Sequence, residues 1–169
     1  MAIGLVLCAG RGVRLKEETR DRPKCMADVA GKPILEHIAD HMNKHGIWRI
    51  VVNLHAFPEV VMKHFGQRFL YLYEPMPMGE FATMGIIKHW FPGEDILCVN
   101  GDTLTDFFPG EVGNMTARIE CPPKLHNGYT LYKDDGEVIK YYEDNDRFFD
   151  IGTPEKLKIA REYYASKNI

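Results

Sequence analysis

A short glycine-bearing stretch near the start of the sequence carries residues suited to binding phosphate. Ala9-Gly10-Arg11-Gly12 follows an apolar run, and small residues at such a point let an anion approach successive backbone N–H groups. Arg14 and Lys24 come next, and both side-chain types bind phosphate oxygens. The spacing fits neither a dinucleotide-binding loop, because Leu15 stands at its third glycine, nor a P-loop. The loop by itself leaves two interpretations open, a phosphate cradle and an ordinary tight turn.

Two aspartates stand directly after short apolar segments. Asp102 follows the run 96–99 and Asn100-Gly101, and Asp150 follows Phe148-Phe149. Mg²⁺ prefers oxygen ligands, commonly one or two carboxylates together with substrate phosphates and water. We expect Asp102 and Asp150 to bind Mg²⁺. The alternative for Asp102 is a turn aspartate with no ligand.

Three histidines share one face of a predicted helix, because His37, His41 and His45 recur every four residues. They lie outside the apolar stripe that Ile34 and Leu35 begin. We therefore predict a solvated helix face here rather than a metal site.

The composition excludes several classes of function. The 169 residues include 21 Lys+Arg and 24 Asp+Glu, a formal net charge of −3, so no basic field attracts nucleic acid. A hydrophobic content of 45% excludes a disordered chain. The apolar runs are too short for a membrane span, and the first residues lack the basic region of a signal peptide. The four cysteines form no close pair, which predicts reduced thiols in a cytoplasmic protein.

The hydrophobic periodicity predicts alternating strands and helices over the first hundred residues. The predicted strands span 2–8, 48–54, 69–73 and 96–99, and the predicted helices span Pro33 to the Gly46 cap, 58–65 and 82–90. This alternation predicts an α/β fold, a three-layer, doubly wound, mostly parallel sheet of the Rossmann-like type. Ligands of such sheets bind beyond the carboxyl ends of the strands, where the glycine stretch and Asp102 lie.

After residue 106 the pattern changes to turn clusters between short β-rich runs, such as 128–132 and 138–142. We predict a small antiparallel β insertion that lies over the sheet edge. A final helix begins after Thr153, with Pro154 in its first turn, and runs to about Ser166. The chain is thus expected to form one domain, 1–169, with a nucleotide-binding half (1–106), a reduced β region (107–150) and a C-terminal helix (151–169).

The glycine stretch and the residues after it resemble the signature of the sugar-phosphate nucleotidylyltransferases, roughly L-x-[AG]-G-x-G-x-R-L, a spacer with Thr, then P-K-x-[ML]. The matching residues run from Leu7 to Leu15, with Thr19 and Pro23-Lys24-Cys25-Met26. Further stretches are similar to other motifs of that family: Gly31-Lys32-Pro33-Ile34-Leu35, Pro77-Met78-Gly79, Val99-Asn100-Gly101-Asp102-Thr103 and Asp150-Ile151-Gly152-Thr153-Pro154-Glu155. The last of these resembles the heptose- and mannose-1-phosphate guanylyltransferase branch.

The resemblance implies a nucleotide-diphospho-sugar transferase fold and Mg²⁺-dependent transfer of a nucleoside monophosphate from an NTP to a sugar 1-phosphate. By that resemblance Arg14 binds the β- and γ-phosphates, Lys24 stabilises charge at the α-phosphate, and Asp102 and Asp150 hold Mg²⁺. Glu143 and Lys140 are the candidates on the sugar-phosphate side. The implied nucleotide-binding residues are Leu7, Cys8, Ala9, Gly10, Gly12, Arg14, Lys24, Glu74, Gly79, Glu80, Asn100 and Gly101.

Three departures from the family pattern bear on function. Val13 stands where the family usually has Thr or Ser, and Asp144 where it has the lysine that contacts the sugar phosphate. Lys140 replaces that lysine only if a strand twist or bulge brings it to the same side. Asp144 is also followed almost at once by Phe148, so the long sugar-binding segment is missing and the fold is contracted. Looser sugar specificity, or a pocket completed by a second copy in a homo-oligomer, would follow.

Two other functions remain open at this stage. One is a weakly active or inactive domain that binds a nucleotide or nucleotide sugar, and the other is a cytidylyltransferase acting on a non-sugar phosphate such as phosphocholine. For the base, the resemblance places Glu74 and Glu80 beside it. Ionised carboxylates only accept hydrogen bonds, and guanine offers two adjacent donors, so we expect GTP first and CTP second.

Overall fold

The computed structural model describes residues 2–109, 117–118, 126–143 and 148–167. Over these residues the strands are β1 (Ala2–Leu7), β2 (Asp28–Val29), β3 (Lys32–Pro33), β4 (Ile50–Leu54), β5 (Leu70–Tyr73), β6 (Asp95–Asn100), β7 (Thr103–Thr105), β8 (Ala117–Arg118), β9 (His126–Tyr132), β10 (Val138–Glu143) and β11 (Phe148–Asp150). The α-helices are α1 (Ile34–Lys44), α2 (Pro58–Phe65), α3 (Glu80–Trp90) and α4 (Pro154–Lys167). Asp144 lies outside the described residues, as does Cys121, one of the four cysteines counted above.

A seven-stranded sheet in the order β5-β4-β1-β6-β9-β10-β8 forms the centre of the molecule. The neighbours among β5, β4, β1 and β6 are parallel, whereas β9, β10 and β8 continue the sheet in antiparallel pairs. The predicted antiparallel insertion is therefore present, but the expectation that it lies over the sheet edge is wrong. Cys98 of β6 pairs directly with Thr130 of β9, so the insertion extends the sheet in its own plane.

Two apolar clusters, one on each face of this sheet, account for the three layers. Val6 of β1 faces a cluster with Ile34 of α1, Val61 of α2 and Leu157 of α4. The neighbouring Leu5 faces the second cluster, which contains Met84 and Ile87 of α3. Successive residues of a strand point to opposite faces, so a continuous apolar strand serves both layers. The predicted three-layer α/β fold is confirmed.

Helix α4 contacts residues from the first part of the chain. Thr153 caps it, since the Lys156 N–H donates to Thr153 Oγ1 at 3.4 Å, as predicted for a Thr-Pro start. Farther along, the Arg161 side chain donates to the Asp28 carbonyl at 2.8 Å and pairs with Glu18 at 2.9 Å. The last described helix is thereby fastened to segments next to the glycine stretch. No described helix is long and apolar enough to cross a membrane.

The histidine face of α1 is half-buried, so the prediction of a solvated face is wrong. His37 Nε2 lies 2.7 Å from the Val29 carbonyl oxygen, and His41 Nε2 lies 3.1 Å from the Phe107 carbonyl oxygen. The ring of His45 stacks on Phe108 at 4.1 Å between centroids. The segment after β7 covers His41 and His45, whereas His37 lies against Val29 and Tyr164. No group of three or more potential metal ligands occurs in the described part of the chain.

Candidate active site

A cavity of about 480 Å³ opens at the carboxyl ends of β1, β4 and β6, the edge at which parallel α/β sheets bind ligands. Most of the residues predicted to bind nucleotide or metal lie around it. The lining consists of Leu7, Cys8, Ala9, Gly10, Lys24, Cys25, Asn53, Glu74, Pro77, Gly79, Glu80, Asn100, Gly101, Asp102, Thr103 and Asp150. Of the predicted site residues whose side chains are described, Gly12, Arg14 and Lys140 are not part of this lining.

Gly12 of the glycine stretch packs closely against the side chain of Lys24. Gly12 has φ +61°, and a Cβ there would lie 2.9 Å from Cβ of Lys24 and 3.1 Å from Cγ2 of Thr19. The Thr19 hydroxyl donates to the Gly12 carbonyl at 3.0 Å. Glycine therefore meets two needs here, a left-handed backbone and room for the lysine stem. The loop and Lys24 are held as one unit.

A second glycine brings the ends of β1 and β6 together. The Gly101 N–H donates to the Leu7 carbonyl at 2.9 Å. A Cβ at Gly101 would overlap the Cys8 sulfur and lie 2.8 Å from the Leu7 oxygen. Burial, followed by the neighbouring Cys25 thiol, raises the pKa of Cys8, so this residue is a packed thiol. The close approach places Asp102 beside the glycine stretch.

Both predicted metal ligands are paired with lysines. Lys24 Nζ forms an ion pair with Asp102 Oδ2, and these side chains are only 16% and 21% exposed. Lys156 Nζ lies 2.8 Å from Asp150 Oδ2 at the cavity rim. The two aspartates belong to neighbouring backbones, because the Ile151 N–H donates to the Asp102 carbonyl at 2.9 Å. Two carboxylates that line the same cavity and belong to adjacent backbones form a donor set that fits Mg²⁺.

Arg14 reaches the same rim from the other side. It is exposed, and a Cβ on Gly152 would lie 3.4 Å from Arg14 Nη2 and 3.5 Å from Asp150 Oδ1. The guanidinium and the second carboxylate therefore meet over the Gly152 backbone. A Cβ at Gly152 would make ordinary van der Waals contact with both groups, so the spacing does not by itself require glycine here.

The sugar-phosphate candidates lie on β10. Lys140 is opposite Thr130 and Arg118, and Glu143 is opposite His126. The register shifts between Tyr141 and Tyr142, which is the kind of irregularity that the expectation for Lys140 required. The shift comes after Lys140, however, and this residue does not join the cavity lining formed by the described residues.

Glu74 is fully buried at the cavity wall, and its carboxylate accepts hydrogen bonds from three different segments of the chain. Its Oε1 accepts from Asn53 Nδ2 at 2.9 Å and from the Thr83 hydroxyl at 2.6 Å, and its Oε2 accepts the Met78 N–H at 3.0 Å. Asn53 in turn accepts the Cys8 N–H at 2.6 Å. This network connects β4, α3, the Pro77-Met78-Gly79 turn and the end of β1. The sequence analysis did not identify Asn53. The feature that could have indicated it is a polar amide within the otherwise apolar strand β4.

Glu80, in contrast, has free accepting capacity. Its Oε1 accepts the Tyr132 hydroxyl at 2.5 Å. Burial and this hydrogen bond raise the pKa of Tyr132, so the phenol stays a donor. A carboxylate offers about four lone-pair positions, of which Glu74 uses three and Glu80 one in these contacts. Of the two glutamates predicted near a base, Glu80 has the larger capacity left for a ligand.

Comparison with known proteins gives this geometry a family. The profile of the MobA-like NTP transferase domain matches residues 4–104. The chain belongs to this family. The match includes the glycine stretch, Lys24, the Glu74 network and Asp102, so most of the cavity lining falls within the matched residues.

Relatives of this NTP transferase domain carry the names of sugar 1-phosphate nucleotidylyltransferases. D-glycero-alpha-D-manno-heptose 1-phosphate guanylyltransferase of Campylobacter jejuni is 36% identical over 135 residues, 76% of this chain and 60% of that protein. N-acetylmuramate alpha-1-phosphate uridylyltransferase of Neisseria meningitidis is 35% identical over 109 residues, 60% of this chain and 47% of that protein. The chain thus spans about half to three-fifths of these relatives' lengths.

A solved structure has the same fold at low sequence identity. The putative glucose-1-phosphate thymidylyltransferase from Bacillus anthracis, crystallised with sucrose, superposes with a TM-score of 0.72 at 14% identity. The alignment covers 98% of this chain and 96% of that one. The architecture of the whole described chain is therefore that of a nucleotidyltransferase.

Proposed function

We propose that the protein transfers a nucleoside monophosphate from an NTP to a sugar 1-phosphate and releases pyrophosphate. One observation carries the proposal: the glycine stretch, the Lys24–Asp102 pair and Asp150 meet at a single cavity of about 480 Å³. The names of both relatives above describe this type of reaction. A domain that only bound a nucleotide would not need this combination of a buried lysine and two carboxylates.

In the proposed reaction an oxygen of the sugar 1-phosphate attacks the α-phosphorus of the NTP. A new P–O bond forms, the bond from Pα to the β-phosphate oxygen breaks, and its electron pair leaves with pyrophosphate. Such transfers need positioning and charge neutralisation more than covalent catalysis. When bound at Asp102 and Asp150, Mg²⁺ supplies neutralising charge to the phosphate oxygens. Lys24 stabilises charge at the α-phosphate through the ammonium hydrogens not given to Asp102.

For the base we propose guanine first and cytosine second. Glu80 and the remaining lone pair of Glu74 Oε2 present carboxylate acceptors at the cavity wall. Guanine offers N1–H and its amino group, whereas uracil and thymine would turn carbonyl oxygens toward these carboxylates. A buried mismatch of this kind costs on the order of 1–3 kcal/mol, roughly ten- to a hundredfold in selectivity.

The experiment is a measurement of pyrophosphate release with GTP, CTP, UTP, dTTP and ATP across a panel of sugar 1-phosphates with Mg²⁺. We expect release with GTP. With dTTP and UTP we expect kcat/KM to be at least tenfold lower than with GTP. Asp102→Asn serves as the matched inactive control. Equal or higher kcat/KM with dTTP or UTP contradicts the base assignment. No release with any pair, by wild type and Asp102→Asn alike, contradicts the enzyme and favours a nucleotide-binding domain.

A further inference from the structure

The cavity has an excess of negative charge for a site that holds phosphates. Among the described residues that line it, Glu74, Glu80, Asp102 and Asp150 are acidic and Lys24 is the basic one. A triphosphate and a sugar phosphate bring several more negative charges into the same space. Besides the Mg²⁺ proposed above, cations next to the cavity therefore favour binding.

Lys156 is a cation next to this cavity: it is not part of the lining itself, but it pairs with Asp150, which is. Its Nζ lies 2.8 Å from Asp150 Oδ2, and its side chain is 46% exposed. An ammonium group has three N–H donors, so the contact with Asp150 leaves two for a ligand. The start of α4 fixes the backbone of Lys156, because its N–H donates to Thr153 Oγ1 and the adjacent Leu157 is 1% exposed. A long side chain on a fixed backbone, with its ammonium held by Asp150, points to an ordered binding group.

Lys156 reaches the site on a different element from Lys24. Lys24 packs against the glycine stretch, and Glu74 and Glu80 belong to other segments of the wall. Lys156 approaches with α4 and pairs with Asp150 of β11, whose other carboxylate oxygen lies beside Arg14 next to Gly152. The acceptor must enter on a side that the NTP leaves open, since its oxygen attacks in line with the leaving group.

We propose that Lys156 binds the phosphate of the acceptor sugar 1-phosphate, with Asp150 holding the ammonium in position. The assignment rests on the function proposed above. It explains why a lysine stands in the first turn of α4, where the helix dipole disfavours a cation unless an anion compensates it. Asp150 provides that compensation in the ligand-free chain, and the phosphate adds to it when the acceptor binds.

The test compares Lys156→Met with Lys158→Met, using the best NTP and sugar 1-phosphate from the pyrophosphate-release panel. Lys158 lies on the same helix, is 77% exposed and pairs with Glu162 at 3.9 Å, so it serves as the matched control. We expect Lys156→Met to raise KM for the sugar 1-phosphate about ten- to a hundredfold, the usual range for a lost charged hydrogen bond. KM for the NTP should stay within about twofold, and Lys158→Met should change neither constant. Lys156→Arg should recover most of the lost affinity.

A second arm measures binding of mannose 1-phosphate by isothermal titration calorimetry and does not depend on turnover. Loss of binding in Lys156→Met but not in Lys158→Met supports the assignment even if wild type releases no pyrophosphate, a result that contradicts the proposed reaction alone. An active enzyme whose two variants have the same acceptor KM overturns the role of Lys156 and leaves the reaction intact. A rise confined to the NTP KM overturns it as well. Absence of both turnover and binding in wild type overturns both proposals.

Discussion

At the scale of single residues, the ion pair between Lys24 and Asp102 determines how the site meets a nucleotide. Both side chains are mostly buried, and the lysine stem lies against Gly12. The ammonium is therefore in place before any substrate arrives. Such preorganised charge contributes most where negative charge develops during the reaction.

We predict that Lys24→Ala lowers kcat about a hundred- to a thousandfold, the usual effect of removing one stabilising group from a developing charge, while KM for the NTP changes little. Steady-state kinetics of pyrophosphate release measure both constants. Lys63→Ala, an exposed position on α2, should behave like wild type. An increase in KM with kcat unchanged would show that Lys24 only binds ground-state phosphate.

Glu74 gives a prediction about stability. Its carboxylate accepts three hydrogen bonds in a fully buried place. In Glu74→Gln an amide NH₂ must face a donor, and we expect a loss of about 1–3 kcal/mol in the free energy of unfolding, with a larger loss in Glu74→Leu. Urea unfolding followed by circular dichroism measures it. The exposed Glu59→Gln on α2 is the control, and a Glu74→Gln protein as stable as this control would contradict the network.

At the scale of elements, the junction of β1 and β6 is set by the close approach of Gly101. We predict that Gly101→Ala destabilises the protein by at least about 1–3 kcal/mol, because the new methyl group overlaps the Cys8 sulfur and crowds the Leu7 carbonyl. It should also reduce activity, since the shift moves Asp102.

Gly85 offers the matched substitution within α3. A Cβ there meets nothing within 4 Å, so Gly85→Ala should stabilise the helix by about 0.5–1 kcal/mol. Thermal unfolding of the two variants compares them directly. The interpretation fails if both alanines change the melting temperature in the same direction.

The elements that the sequence predicts well are those marked by a local motif or by a repeating hydrophobic pattern. Apolar strands and helix periodicity placed β1, α1, α2 and α4 within a residue or two, and Thr153-Pro154 located the start of α4. The His41 face was missed because its partner, Phe107, lies 66 residues away and no local pattern announces it. Asn53 was missed for the same reason, since the carboxylate that it contacts, Glu74, lies 21 residues away. Lys156 was missed although Asp150 is only six residues away, because their contact depends on how α4 follows β11.

At the scale of the whole molecule, the packing of α1 against the segment after β7 makes stability depend on pH. Burial, the larger effect, lowers the pKa of His41 despite its hydrogen bond to the Phe107 carbonyl. In the unfolded chain His41 binds a proton near pH 6.5, whereas in the folded chain it binds one only at lower pH. The free energy of unfolding therefore decreases as the pH falls through 6.5.

We therefore predict that the melting temperature of wild type falls between pH 7.5 and 5.5 more steeply than that of His41→Gln. Differential scanning calorimetry at matched ionic strength measures the two slopes. His89→Gln, at an exposed position on α3, should keep the wild-type slope. Identical slopes for His41→Gln and wild type would show that His41 titrates alike in both states.

The attachment of α4 to the beginning of the chain has a consequence for synthesis. Lys24 and Asp150 are separated by most of the sequence. Arg161 of α4 connects the two parts of the chain, because it binds the Asp28 carbonyl and the Glu18 carboxylate. A ribosome adds about 5–20 residues per second, so Asp150 is made on the order of ten seconds after Lys24. A nascent chain therefore carries its glycine stretch and Lys24 well before Asp150 exists. The wall of the cavity that Asp150 completes therefore forms only after β11 and α4 have been made.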